Sequence, residues 1–137
     1  MRGFSSGVRC IMKVMNIPEV IEELKKKYPG KKILMNHKKN VTEILCETDP
    51  TSAHASHSTV ISVIDKTDLH FHEKSTETYS VIKGTLTLRI DGETVVLAAG
   101  ESQVILPHQK HEAMGDATWV KCTSKPGWRR LDHHLVA

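Results

Sequence analysis

The chain is sparing with the features that mark several protein classes outright. It has three cysteines in 137 residues, Cys10, Cys46 and Cys122, an odd number with no C-x-x-C spacing. No disulfide framework is encoded, and reduced thiols in a cytoplasm-like compartment are expected. Aromatic residues amount to two Phe, two Trp and two Tyr, too few for the stacking platforms of a nucleic-acid surface, and the basic residues gather in "EELKKKYPGKK" instead of forming a stripe. A nucleic-acid partner is therefore not expected. Neither sign of charge dominates, with 19 Lys+Arg against 16 Asp+Glu. No apolar run approaches the roughly 18–20 residues of a membrane span, so no membrane partner is expected either. The first 15 residues, "MRGFSSGVRCIMKVM", are free of acids and lack the continuous apolar stretch of a secretory signal. They are set apart as a tail (1–15), with a transit peptide or a start at Met12 or Met15 as the readings of that segment.

The length suits one domain with one core. Residues 16–30, "NIPEVIEELKKKYPG", predict a short helix: Asn16 can cap it, Pro18 suits its first turn, and Pro29-Gly30 ends it. Glu19 and Glu22 favour the positive end of its dipole and Lys25–Lys27 the other. Ile17, Val20, Ile21 and Leu24 recur at helical spacing, an apolar stripe that must lie on something else. From residue 31 to 137 the pattern changes to short segments rich in Val, Ile, Thr and Leu: "KKILM", "VTEILCE", "TVISVID", "LHFH", "ETYSVIK", "TLTLRI", "TVVLA", "QVILP" and "TWVKCTS". Short strands in such number, with one helix, predict an all-β sandwich or barrel. The clearest local feature is Asp91-Gly92 between two alternating strands, which fits a type I′ hairpin. Leu86, Leu88 and Ile90 share one face of the first of these strands.

The chemistry concentrates in "DLHFHEKSTETYSVIKG". On a strand His70 and His72 point the same way, with Phe71 opposed. Glu77 is an odd number of positions from His70, so an unbroken strand would send it to the other face. It joins the histidines only if "EKST" loops the chain and resets the parity. After that loop Glu77, Tyr79 and Val81 share a face, and Gly84 permits the turn into the next strand. A further histidine would complete a site, and His111 is the best placed.

This stretch and "GESQVILPHQKHEAMG" resemble the two sequence motifs of the cupin superfamily. The first reads His-x-His, three or four residues, Glu, six residues, Gly, and is met by His70, His72, Glu77 and Gly84. The second reads Gly, five residues, Pro-x-Gly, two residues, His, three residues, Asn; Gly100 and His111 fit it. Leu106 stands in place of the proline, His108 of the glycine and Gly115 of the asparagine. The resemblance covers about residues 59–124 and implies a single-domain double-stranded β-helix, or jelly-roll barrel, preceded by the helix. It implies one divalent transition metal ion held by His70, His72, Glu77 and His111. Three imidazoles and a carboxylate suit Mn, Fe, Co, Ni, Cu or Zn and suit Ca or Mg poorly.

Tyr79 is the candidate catalytic residue, its hydroxyl projecting toward the ion as hydrogen-bond partner, acid or base. His108 is expected in an exposed turn, and His54 and His57 in a polar loop. His133 and His134, being adjacent, cannot both face one ion. "KPGWRRLDHH" is similar to the closing segment of small cupins, which covers the barrel or a partner subunit. Trp119 and Trp128 are expected to pack, and Lys83 and Lys121 to face outward. The resemblance implies a metal-dependent enzyme acting on a small oxygenated, sugar-like or carboxylate, molecule by isomerisation, epimerisation or dioxygenation. The alternative is a non-catalytic small-molecule binding or sensing module. A homodimer paired at an exposed sheet edge is the expected assembly.

Overall fold

The computed structural model describes residues 14–137, so Cys10 and most of the 1–15 tail lie outside the described residues. Helix α1 spans Ile17–Lys27, and the Asn16 side chain accepts a hydrogen bond from the Glu19 N–H. It is followed by β1 (Lys32–Lys38), β2 (Val41–Asp49), β3 (Ser58–Lys66), β4 (His70–Phe71), β5 (Thr76–Lys83), β6 (Thr85–Ile90), β7 (Glu93–Ala98), β8 (Ser102–Ile105), β9 (His111–Lys125) and β10 (His134–Leu135). All pairings are antiparallel, and the sheet curls into the all-β jelly-roll barrel that the strand pattern predicts. The nine expected strands match β1–β9, with β9 starting at His111, seven residues before the apolar segment "TWVKCTS".

β9 organises the barrel. Its first residues pair with β4 and β6, and its remainder with β3 and β5. Between the two halves the chain turns a corner at Gly115, where a Cβ would lie 2.4 Å from Thr118 Oγ1 and 2.9 Å from the Ile64 carbonyl oxygen. Asparagine at this motif position would not fit without a backbone shift, which accounts for the departure. Asp65 Oδ1 secures the corner by accepting the Ala117 N–H at 2.7 Å.

Both faces of the β2–β3–β9 wall are apolar, for different reasons. Ile44, Cys46, Ile61, Val63 and Trp119 point outward and are covered by Val20 and Leu24 of the helix. The barrel is filled from the other face by Ile64, Val81, Leu86, Leu88, Ile90 and Val120, among others. The helical stripe thus seals a sheet that would otherwise expose one apolar side. Lys27 lies over the Trp119 ring at 5.1 Å, within range of a cation–π contact. Asp91 and Gly92 both have positive φ, 49° and 86°, as a type I′ turn requires. Cys46 and Cys122 are buried and free. Among the described residues no helix is long and apolar enough to cross a membrane.

Candidate metal centre

The four motif residues converge. His70 and His72 come from β4 and its end, Glu77 from β5 and His111 from the start of β9, where it pairs directly with His70. All are buried, with relative exposures of 5, 2, 6 and 0 %. One ligand atom from each lies within 4.8 Å of the others. The parity reset takes place as the sequence requires: residues 72–75 are not strand, and Glu77 emerges on the inner face beside Tyr79 and Val81. Glu77 Oε1 stands 3.1 Å from His72 Nε2 and 3.1 Å from His111 Nε2.

The ring orientations are set from behind. Each Nδ1 lies at hydrogen-bond distance from a main-chain carbonyl: His70 from Asp68 at 2.8 Å, His72 from Asp132 at 2.8 Å and His111 from Gln109 at 2.9 Å. A carbonyl only accepts, so each Nδ1 carries a proton, and a neutral ring then presents the Nε2 lone pair to the centre. Two lone pairs facing a buried carboxylate oxygen at 3.1 Å repel unless a cation or extra protons lie among them, and His72 Nε2 is a buried atom without a hydrogen-bond partner. The donor set therefore fits a positive ion. Without metal, protons answer the same demand. Burial opposes charge on His72, but the Glu77 carboxylate and the Asp132 carbonyl outweigh it and raise the imidazole above its ordinary value. Burial likewise opposes charge on Glu77, and hydrogen bonds from His111 and His72 hold it well below the usual carboxylate range. His70, with burial and a neighbouring imidazole against it, drops to about 3 and is neutral.

Residues outside the motifs complete the setting. Asp132, in a 3-10 turn (Arg130–Asp132), directs its carboxylate at the "EKST" loop and accepts the N–H groups of Glu73 (2.9 Å), Lys74 (3.1 Å) and Ser75 (3.1 Å). The parity-resetting loop is thus gripped by the C-terminal segment, whose next residue, His133, stacks on His70 with ring centroids 4.4 Å apart. His134 turns away toward Glu73, as expected for a neighbour in extended chain. Trp128 is 37 % exposed and lies edge-on to His133, so it borders this cover instead of filling a core. Trp119 packs under the helix. Lys83 and Lys121 are exposed.

His108 is exposed, in a turn, with φ 71°; the family motif has glycine there because this conformation is nearly free for glycine and strained for a side chain. Its N–H donates to the His72 carbonyl at 2.6 Å, tying the two motifs together. His108→Gly is expected to stabilise the fold by up to about 1 kcal/mol, read as a higher urea midpoint with unchanged slope. The Leu106 N–H donates to Gln109 Oε1 at 2.8 Å, a bond that proline could not make.

On the inner wall Tyr79 lies edge-on to His111, with ring centroids 6.0 Å apart. Burial, then the Glu77 charge, pushes its phenol well up, so it is a neutral donor and not a phenolate. Burial also pushes the Cys122 thiol well up, which removes it as a nucleophile. Glu43, the third residue of β2, is, with Asp132 and His133, a residue that sequence reasoning missed. It pairs with Ile64 of β3, a barrel-core residue, and therefore faces the interior. Burial and the Glu77 charge, then Asp68, push it up to about 7 against the Ser62 hydroxyl. The only sequence signal was its alternation with Ile44 and Cys46, which makes Glu43 and Glu47 read as a solvent face.

Residues 60–119 match the family model described as a cupin domain. No curated protein sequence matches the chain. Solved structures do match: a nucleoside dehydratase from Streptomyces superposes with a TM-score of 0.65 at 18 % identity over 76 % of this chain and 84 % of that one. KdgF from Halomonas sp. does so at 0.58 and 20 % identity over 74 % and 91 %. An oxalate decarboxylase from Bacillus subtilis does so at 0.60 and 11 % identity, over 77 % of this chain and 30 % of that longer one. Motifs, barrel and comparisons agree: residues 60–119 form a cupin domain, and the barrel around them has the cupin fold.

Proposed function

We propose that the protein is a metal-dependent enzyme that moves a proton on a small oxygenated, sugar-like molecule, in the manner of an isomerase or epimerase. His70, His72, Glu77 and His111 hold one divalent transition metal ion. When bound, the ion supplies Lewis acidity for a carbonyl or vicinal oxygens of the substrate. The observation that carries the catalytic reading is Glu43, a second inward carboxyl of the same barrel with its pKa raised to about 7 by burial and the Glu77 charge. A group titrating near neutrality serves as base in one half-reaction and as acid in the other. Glu43 removes a proton from the carbon next to the carbonyl, the electron pair passes to oxygen as an enediolate, and the proton returns to the neighbouring carbon or to the opposite face. No oxidant or co-substrate is consumed. Tyr79, held neutral, donates a hydrogen bond to the developing oxyanion. His133, stacked over His70, and Trp128 limit water access from the C-terminal side. Similarity to solved enzymes that act on nucleosides and, in a cupin from Silicibacter pomeroyi, on sugar phosphates supports a polyhydroxylated substrate class. A second subunit paired along the edge of β1 that no described strand covers would extend the sheet.

The test is solvent deuterium incorporation into a panel of aldoses, ketoses and their phosphates by the metal-loaded protein, with dissolved oxygen monitored. Exchange at constant oxygen is expected. Oxygen uptake would replace the isomerase reading by a dioxygenase one. Tight binding of a panel member that never exchanges would identify a non-catalytic binding module. Glu43→Gln is expected to reduce exchange at least ~100-fold. It is also expected to stabilise the fold above neutral pH. A raised carboxyl pKa contributes stability below the unfolded value near 4.5 that is lost as pH rises through about 7, and the amide avoids that loss. Partial contact of Glu43 with water limits the gain to about 1–2 kcal/mol, measured by urea unfolding at roughly pH 8.

A further inference from the structure

The loop between β2 and β3 brings together a second set of metal-ligating side chains, separate from the motif histidines. Asp49 ends β2, and His54 and His57 follow it in the polar loop "TSAHASH". His54 Nε2 lies 2.8 Å from Asp49 Oδ1 and His57 Nε2 lies 3.5 Å from Asp49 Oδ2. The two imidazoles lie side by side in a tilted pair, with centroids 4.0 Å apart and planes inclined by 31°. One nitrogen or oxygen from each of the three residues comes within 4.8 Å of the others.

We propose that Asp49, His54 and His57 form a second, peripheral site for a borderline divalent cation of the zinc type. Ligands about 2.0–2.2 Å from one ion stand roughly 2.8–3.6 Å from each other in octahedral or tetrahedral arrangement, and the two carboxylate-to-imidazole separations fall within that range. Two imidazoles and one carboxylate favour zinc, copper or nickel over calcium and magnesium, which demand oxygen donors. One outer group is in place: His57 Nδ1 is 3.0 Å from Ser56 Oγ, which orients that ring, whereas His54 Nδ1 is buried without a hydrogen-bond partner. The side chains are 34–45 % exposed, so an ion can enter without opening the fold, and water can complete its coordination.

The loop does not drift free of the barrel. Thr51 Oγ1 donates to the Trp128 carbonyl at 2.7 Å, the Gly127 N–H to the Ala55 carbonyl at 3.0 Å, and the Trp128 N–H to Ser58 Oγ at 2.9 Å. An ion clamping residues 49–57 therefore also steadies residues 127–128, which lead into Asp132 and His133. The site is structural in kind, three protein ligands closing a short loop against the segment that covers the barrel.

The experiment compares zinc content of the wild type with Asp49→Ala and His57→Ala after dialysis against zinc held at micromolar free concentration by a chelator buffer. The readout is the difference between proteins, so it is independent of whether the central four-ligand site is loaded. One equivalent fewer in each variant is expected, with cobalt giving the same stoichiometry and a visible band of its own, and excess magnesium unable to displace either ion. Equal zinc in wild type and a folded variant would overturn the proposal, leaving a hydrogen-bonded triad. His72→Ala serves as the reverse control: it is expected to lose only the central equivalent, so that the double variant Asp49→Ala/His72→Ala loses one equivalent more than His72→Ala alone, whereas a double variant no lower in zinc than His72→Ala would place the zinc lost in Asp49→Ala in the central site and overturn the proposal.

Discussion

Glu77→Gln is expected to abolish stoichiometric metal binding while leaving the metal-free fold intact. The carboxylate is the only anion among the four central donors, and its loss removes a charge from a desolvated cation, a penalty of at least about 3 kcal/mol, or over ~100-fold in affinity. The amide is the gentlest replacement sterically, and its two N–H groups can donate to the Nε2 lone pairs of His72 and His111, each 3.1 Å from the present carboxylate oxygen. The uncharged site then no longer demands a cation. Thermal unfolding with and without excess zinc, compared in an Asp49→Ala background that removes the peripheral ligands, should show a ligand-dependent rise with Glu77 present that is absent with glutamine. A variant that keeps one equivalent at the central site would contradict the ligand assignment.

The same centre fixes the sign of the acid response. Metal requires neutral His72, whose raised pKa lets protons compete, so affinity falls as pH falls through that value. In the metal-free chain His70, lowered to about 3, costs stability as pH drops from 6.5 toward 3, because the unfolded ring takes a proton that the folded one refuses. Glu77, also lowered, adds a further loss below its unfolded value near 4.5. His72 acts oppositely: its contribution is complete below 6.5 and disappears as pH rises through its folded value. Acid unfolding should thus proceed in two stages, and replacing Glu77 by glutamine should remove the lower one.

Asp132→Ala is expected to destabilise the protein by about 2–4 kcal/mol and to weaken central metal binding by about 10–100-fold, although Asp132 is not one of its ligands. The carboxylate accepts three consecutive main-chain N–H groups from Glu73 to Ser75, in the loop that brings Glu77 round to the histidines, and the Asp132 carbonyl holds His72 Nδ1. Alanine strips the loop of its acceptor and loosens the segment that carries His133 over His70. Metal titration of the folded variant, with amide exchange at residues 73–75, distinguishes a positioning residue from a bystander. Faster exchange with weaker binding is expected, and unchanged affinity in a folded protein would refute it. His134→Ala, whose ring meets only Glu73 and the edge of Asp132 and lies against Phe71, should leave affinity within about twofold.

Much of this was legible because the decisive signals are local. Asn16, Pro18 and the Pro29-Gly30 stop bound the helix; Asp91-Gly92 fixes a hairpin; His70, His72, Glu77 and His111 stand at motif spacings, and strand parity identifies "EKST" as a turn. Glu43, Asp132 and His133 were not legible as site residues. Glu43 alternates with Ile44 and Cys46, and an isolated strand of that pattern reads as apolar face inward, charged face to water. The helix reverses this by covering Ile44 and Cys46 from outside, which leaves Glu43 in the barrel. Asp132 and His133 act across nearly sixty residues of intervening chain, a separation that no periodicity encodes. The departures at Leu106 and Gly115 have local backbone reasons visible only once the corner of β9 and the turn before it are formed, whereas His108 keeps the turn in spite of its side chain.

By itself, then, the sequence determined the elements, the barrel class and the four residues that converge inside the barrel, since each depends on alternation, caps, turns and motif spacing along the chain. The tertiary structure decided which side of β2 is interior, what grips the loop that carries Glu77 into place, and that Asp49, His54 and His57 meet. Those outcomes depend on which surfaces the helix and the C-terminal segment bury, and burial is a property of the assembled fold.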